Sequence, residues 1–501
     1  MAAMDSDGSM DRKMNGTMAD TKLGSEETAH YGYEGGTIEL DRAKEKKLVR
    51  KLDLHIVPVV MLLYLLSFLD RVNIGNARLY GLESDLSMVG NQYLTAVSLL
   101  FVTYILSELP SNLILKKYVR PSRWIAFITT SWGIIATLTG ITQSYAGLIV
   151  CRLLLGLVEG GLFPGAAIYL TFFYTKRELA LRIGYLFVSA ALAGACGGLL
   201  AYGIGFMDGV AGLRGWRWII ILEGIPTVVL GIACWWILAD DPETAYYLND
   251  EEKEMMLARR AGQTGQTDVF EWQDVRKGLK DWKIWAFCVG QFCLDTMLYG
   301  YSTFLPTIIQ GIRPGSSRAI IQVLTIPCYA LGALTYMAAA RYSDHKQSRG
   351  PVAVLSAAIS VVGYALLISD TSSGVHFAGC FLVAMGLYVA VGIPLAWLPS
   401  NNPRYGKRTT ATGLQLTIGN CSGIMAPFLY PAAEGPRYVK GHAVTMALVV
   451  LGAIIYGSMY LFFKAENRKR AAGARDEKIR GLNEDEILAL GDENPRFEFA
   501  A

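Results

Sequence analysis

Long apolar blocks, separated by short polar connectors, fill the chain between Lys51 and Phe463. An α-helix rises ~1.5 Å per residue, so about 20 apolar residues cross a hydrocarbon core of roughly 30 Å. Twelve blocks qualify: Ile56–Asn76, Tyr93–Leu113, Arg123–Gln143, Tyr145–Tyr169, Ile183–Phe206, Trp218–Leu238, Trp285–Ile309, Arg318–Ala340, Val352–Ile368, Val375–Leu398, Thr410–Tyr430 and Ala443–Phe463. Barrel strands need only about ten alternating residues, so blocks of this length predict helices. The expected class is an all-α integral membrane protein with 12 transmembrane helices.

The polar stretches set the domain plan. Residues 1–51 are mixed-charge and rich in Gly, Ser, Thr and Met, and read as a cytosolic disordered tail. A six-helix bundle is expected over 52–238 and another over 284–463. A polar linker, 239–283, joins them, and a second cytosolic tail covers 464–501. Lys and Arg concentrate in alternate connectors: Lys116, Lys117 and Arg120; Lys176, Arg177 and Arg182; Arg341, Lys346 and Arg349; Arg404, Lys407 and Arg408; and Lys464, Arg468, Lys469 and Arg470 after the last span. The positive-inside rule then puts both termini in the cytosol. Two six-span halves joined by a linker is the layout of a rocking secondary transporter, with the plasma membrane as expected location.

Composition narrows the options. Hydrophobic residues make up 52% and charged residues only 18% of the chain, against about 25% charged in soluble domains. With 46 Lys+Arg against 43 Asp+Glu the net charge is +3, which gives no case for nucleic-acid binding. The 8 cysteines sit singly in apolar blocks and read as small buried hydrophobes. There is no nucleophile–base constellation and no metal-ligand spacing, so neither an enzyme nor a cofactor or metal is expected.

Charges inside apolar blocks carry the candidate chemistry, because a bilayer charge is costly and faces a partner or a wet cavity. Arg71 lies ~22 Å into the first span and Arg152 ~10 Å into the antiparallel fourth. The two guanidinium forks therefore fall at similar depth, where they can hold a carboxylate bidentately. The alternative is that Arg71 is neutralised by Asp70 or another acid and only locks helices. Glu159 follows Arg152 by two helical turns, near the bilayer midplane. Burial and a neighbouring Arg push its proton affinity in opposite directions, which suits proton coupling. Asp295 sits near mid-membrane in the seventh span, one turn from Gln291 and Tyr299, and is a second proton candidate. Asn73, Tyr299, Gln415 and Asn420 are further cavity candidates. His376 and His442 lie near span ends, where solvated side chains are expected. Glycines four apart (Gly156 and Gly160, Gly161 and Gly165, Gly194 and Gly198, Gly419 and Gly423) predict close helix approach.

Several motifs recur together: Phe68-Leu69-Asp70-Arg71-Val72-Asn73, Glu108-Leu109-Pro110-Ser111-Asn112, Arg152 to Gly165 with Glu159 inside it, Gly215-Trp216-Arg217-Trp218 followed by Glu223-Gly224-Ile225-Pro226, Phe304-Leu305-Pro306, and Trp397 with Asn401, Asn402, Lys407 and Arg408. This set resembles the anion:cation symporter family of the major facilitator superfamily, and within it the fungal allantoate and nicotinate permease branch. The resemblance covers about residues 51–463. It implies two six-helix bundles around a cavity open alternately to each side, and proton-coupled symport of a small organic anion such as allantoate, nicotinate or pantothenate. In the related vesicular glutamate and lysosomal sialate carriers, residues matching Arg71, Arg152 and Glu159 serve substrate and proton coupling. The resemblance also implies gating roles for Glu108, Asn112, Asp344 and Arg349. The expected partners are the organic anion, the proton and the bilayer, with the protein a monomer. Two rivals stand beside this reading: a carrier of the same fold exporting a secondary metabolite, and a nutrient sensor that transports nothing.

Overall fold

A computed structural model describes residues 28–33, 36–117, 120–261 and 271–501. Apolar runs form helices because a helix satisfies its own backbone without water. In the first half these are α1 (Arg42–Leu79), α2 (Gln92–Lys117), α3 (Pro121–Thr139), α4 (Tyr145–Phe173, interrupted after Glu159), α5 (Lys176–Ile204) and α6 (Gly215–Ile237). In the second they are α7 (Trp282–Ile312), α8 (Arg318–Lys346), α9 (Gly350–Ile368), α10 (Ser373–Ser400), α11 (Tyr405–Met425) and α12 (Val439–Ala471). A hairpin of β1 (Thr28–Tyr33) and β2 (Gly36–Asp41) precedes them. Eight of the helices are long and apolar enough to be spans on composition alone. The other four are α2, α3, α7 and α11; α7 and α11 are diluted by inward polar residues such as Gln291, Asp295 and Gln415.

Helix ends follow their capping chemistry. Ser144 accepts a hydrogen bond from the Gly147 N–H, Thr175 and Glu178 form a capping box, and Asp281 caps α7 through the Lys283 N–H. α1 begins at Arg42, inside the stretch read as a tail. Its first turns are held by charge: Lys44 pairs with Glu251 and Lys51 with Glu252 on a linker helix, Asp250–Ala261. Arg259 of that helix, 2% exposed, bridges Glu45 and Glu178 at 3.0 and 2.6 Å. The second linker helix, Trp272–Lys280, instead packs on α11, with Asp274 beside Arg404 at 2.7 Å. The linker is thus shared between the halves.

We call the face at the start of α1 and the end of α12 the terminal face, and its opposite the far face. On the far face the Gly215-Trp216-Arg217 motif is a clamp. Trp216 Nε1 and Arg217 Nε both donate to Asp85 at 2.9 Å, and Arg217 Nη1 reaches the Gly140 and Thr142 carbonyls. Between the halves the far-face ends meet tightly. A Cβ on Gly75 of α1 would run into the Thr303 carbonyl of α7, and one on Gly194 of α5 would lie 2.5 Å from the Tyr329 ring of α8. Gly198 meets Thr325 in the same seam, and Gly423 of α11 meets Phe101 of α2. Ser98 also donates to the Ile424 carbonyl at 2.8 Å. Gly156 and Gly160 bring α4 against α2 within the first half. The recurring glycines are therefore consumed inside the chain. On the terminal face, no ion pair among the described residues joins one half to the other.

After α12 the chain returns along the terminal face of the second half. Asp492 pairs with Lys407 at 2.8 Å and Lys283 at 3.2 Å. Phe499 stacks on Phe463, centroids 4.7 Å apart, beneath the Arg470 guanidinium. The Ala500 carbonyl accepts from Trp397 Nε1 at 2.7 Å and Asn401 Nδ2 at 3.1 Å.

Candidate functional site

Arg71 and Arg152 share one narrow cavity between the halves. Its walls are Phe68, Val72 and Ile74 of α1, Val97, Leu100 and Phe101 of α2, and Tyr299, Ser302 and Thr303 of α7. It holds about 20 Å³, room for one water. An organic anion therefore fits only after the crevice widens.

The two arginines differ in their partners. Arg71 Nη2 lies 2.7 Å from Glu159 Oε1, and its Nε donates to the same oxygen at 2.9 Å. Ser67 Oγ donates there too. Rings of Tyr104, Phe68 and Phe101 surround the guanidinium at 4.7, 5.1 and 5.9 Å, a favourable setting for a buried cation. Arg71 is thus neutralised by an acid, and that acid is Glu159. Arg152 is 4% exposed, its Nε has no hydrogen-bond partner, and no ion pair holds it among the described residues. A buried cation held in no ion pair is costly, and an entering anion that pairs with it relieves that cost.

Tyr299 lines the cavity, and its hydroxyl donates to Asn420 Oδ1 at 2.6 Å. Asn420 is therefore one hydrogen bond behind the wall. Asn73 turns away: its Oδ1 accepts from Asn76 and lies near Gly197 of α5. Gln415 is fully buried and donates to Gln291 at 3.1 Å; Gln291 in turn donates to Asp295 at 2.8 Å and accepts from Tyr456. Gln415 and Asp295 thus belong to a polar network inside the second half, outside the cavity lining. Glu108 of α2 accepts from Thr417 of α11 at 3.5 Å, across the seam between halves. Asn112 lies in α2, but its side chain falls outside the described residues. Asp344 is exposed. Arg349 reaches the Ala396 carbonyl and Ser400 of α10 within its own half. His442 corrects the expectation of a solvated ring: it is 1% exposed, between Tyr364 and Tyr430. His376 bonds to the Ser369 carbonyl through Nε2.

Residue reading alone missed Ser67, the aromatic ring set and Ser302. The signal was present in part, since Phe101 and Tyr104 are three apart and share one helix face.

A helical bundle in two halves, with buried cations facing a crevice between them, defines a membrane transporter. The chain belongs to the Major Facilitator Superfamily, whose family description matches residues 60–427. It is 38% identical over 463 residues to an uncharacterized transporter of Schizosaccharomyces pombe, covering 92% of this chain and 91% of that one. It is 34% identical over 461 residues to the high-affinity nicotinic acid transporter of Saccharomyces cerevisiae, covering 91% and 85%. Among solved structures it resembles a bacterial homolog of the human lysosomal transporter Spinster, with TM-score 0.62 and 16% identity, covering 80% of this chain and 95% of that one. The xylose transporter XylE of E. coli gives TM-score 0.60 at 14% identity, covering 80% and 96%.

Proposed function

We propose that the protein is a proton-coupled symporter of a small organic anion, a carboxylated nutrient or vitamin of the nicotinate kind. The observation that carries this is Arg152, a buried cation on the wall of the crevice that no ion pair holds among the described residues. A carboxylate entering there meets one free guanidinium and a second one, Arg71, whose partner is Glu159. Protonating Glu159 weakens its hold on Arg71, so proton and anion arrive together. The relative named as a nicotinic acid transporter supports a carboxylate substrate. In this reading Tyr299 and Asn420 shape the C-terminal wall, Glu108 latches the halves, and Asp295 is a second acid of the opposite half. The Lys and Arg bias sets both termini in the cytosol, with the protein a monomer in the plasma membrane.

The test is uptake by the purified protein in liposomes, with nicotinate, allantoate, pantothenate and biotin and an imposed inward proton gradient. Gradient-driven accumulation of one of these acids is expected. Uptake indifferent to the gradient, or none of the four carried, overturns the reading.

A further inference from the structure

On the far side of the crevice, three helices bring one more layer of side chains together. Each member follows a residue of the cavity wall. Arg78 lies one turn beyond Ile74 on α1, Tyr93 one turn before Val97 on α2, and Phe304 next to Thr303 on α7. α1 and α7 run towards the far face and α2 runs from it, so all three steps lead the same way, out of the cavity.

The layer is dry. Tyr93 and Phe304 are each 1% exposed, and the Arg78 side chain is 8% exposed. The guanidinium lies over both rings, 4.4 Å from the Tyr93 centroid and 5.9 Å from that of Phe304. The two rings meet edge to face at 6.2 Å. Each ring is anchored in its own half. The Tyr93 hydroxyl donates to the Ile74 carbonyl at 3.2 Å, while Phe304 stacks at 5.1 Å on Tyr430, which follows α11. Arg78 and Tyr93 therefore belong to the first half and Phe304 to the second, and the cation joins them.

Hydrogen bonding does not account for where this guanidinium sits. Arg78 Nη2 pairs with Glu83 at 3.2 Å, inside the first half, and the Glu83 side chain is 38% exposed. Arg78 Nη1 is buried and has no hydrogen-bond partner. A guanidinium that served only Glu83 would turn its other donors to water, since an arginine stem lets the head snorkel outwards. Keeping a donor unsatisfied in a dry seam is costly. Two ring faces offset that cost, because their attraction for a cation is strongest where water is excluded. Parting the halves carries Phe304 away and admits water to Nη1, so the full contact exists only while the far face is closed.

We infer that Arg78 is a gating residue, which seals the cavity on the far side by tying the Tyr93 ring of one half to the Phe304 ring of the other. Beside it, Gly75 lets α1 approach the Thr303 carbonyl of α7. The glycine permits the closure, and Arg78 supplies an attraction that holds it. The inference needs only the transporter fold and stands whichever solute or ion is carried.

The test uses the full chain in liposomes, with Val97→Cys as a reporter on the cavity wall and a membrane-impermeant thiol reagent on the far side. The chain without the reporter gives the background from its 8 native cysteines. Arg78→Gln and Phe304→Leu should each speed labelling roughly 5- to 30-fold, the population shift expected from losing a buried cation–π contact. Arg78→Lys should stay near the reporter's own rate. Both single variants remove one and the same contact, so combining them should give no further gain. Effects that multiply in the double variant overturn the inference, as does either single variant that labels at the reporter's own rate. Glu83→Gln separates the seal from the ion pair: if it matches Arg78→Gln while Phe304→Leu is silent, Arg78 only braces the first half. Reagent on the terminal side is the check on folding. Labelling there should not rise, and acceleration from both sides would mean loosened packing and would also overturn the seal.

Discussion

Arg152 keeps its place without an ion pair, so in the proposed symporter its contribution to anion binding depends on what it presents to the cavity. Lysine at this position preserves charge but replaces a planar fork with a point donor. Losing one charge-assisted hydrogen bond costs about 1.5–3 kcal/mol, so Arg152→Lys should raise the KM for uptake about 10- to 100-fold. The concentration dependence of uptake in liposomes checks this, and an unchanged KM would place the anion elsewhere. Arg71, Arg152 and Glu159 were legible in the sequence because a charge in an apolar block is conspicuous. Which guanidinium takes Glu159 was not, since it depends on how α1 is rotated against α4. Asn73 failed as a cavity residue for a simple reason: two residues from Arg71 is about 200° around a helix. Ser67 and Trp132 are ordinary residues in a span, and only their hydrogen bonds to Glu159 and Asp70 mark them.

At the level of elements, the start of α11 is held by a cluster of opposite charges. Lys407 lies 2.5 Å from Asp281 and 2.8 Å from Asp492, with its side chain 6% exposed. Burial alone would raise the Asp281 carboxyl, but Lys283 and Lys407 outweigh it and hold it below its ordinary value. A carboxyl lowered in the folded state stabilises the fold above its unfolded pKa, and that gain is lost as pH falls through the folded pKa. Removing one partner of a buried pair costs about 3–5 kcal/mol. Lys407→Met should therefore lower the Tm clearly at neutral pH, and the gap from wild type should shrink as acid neutralises Asp281. Thermal melts of the detergent-purified protein across pH decide it; a gap that does not change with pH would mean the loss is one of packing. The twelve helices were legible from block length, with most ends displaced by up to eight residues. The early start of α1 was not, because Lys44, Glu45 and Lys51 find their partners some two hundred residues away.

For the whole molecule, the far face is closed by tight contact of glycines with backbone and side chains across the seam. Gly75, Gly194 and Gly198 permit it. Gly194→Leu places a branched side chain against the Tyr329 ring and should bias the halves apart on that face. A cysteine at Thr303, on the opposing wall, should then react faster with a membrane-impermeant thiol reagent added from the far side than it does with Gly194 intact. Equal rates would show that the seam does not control access. Small residues four apart announce close approach in a sequence, but not whether the neighbour lies in the same half, the other half or another copy. Gly156 turned out to serve its own half and Gly194 the junction.

The returning segment from Asp492 to Ala500 touches side chains at the ends of α7, α10, α11 and α12. Four helices laced together at one end resist splaying, so in the proposed transport cycle the second half would move as a stiff leaf. Bending is then left to the glycine-lined junction, and a cut through the lacing would convert one rigid stroke into several loose ones.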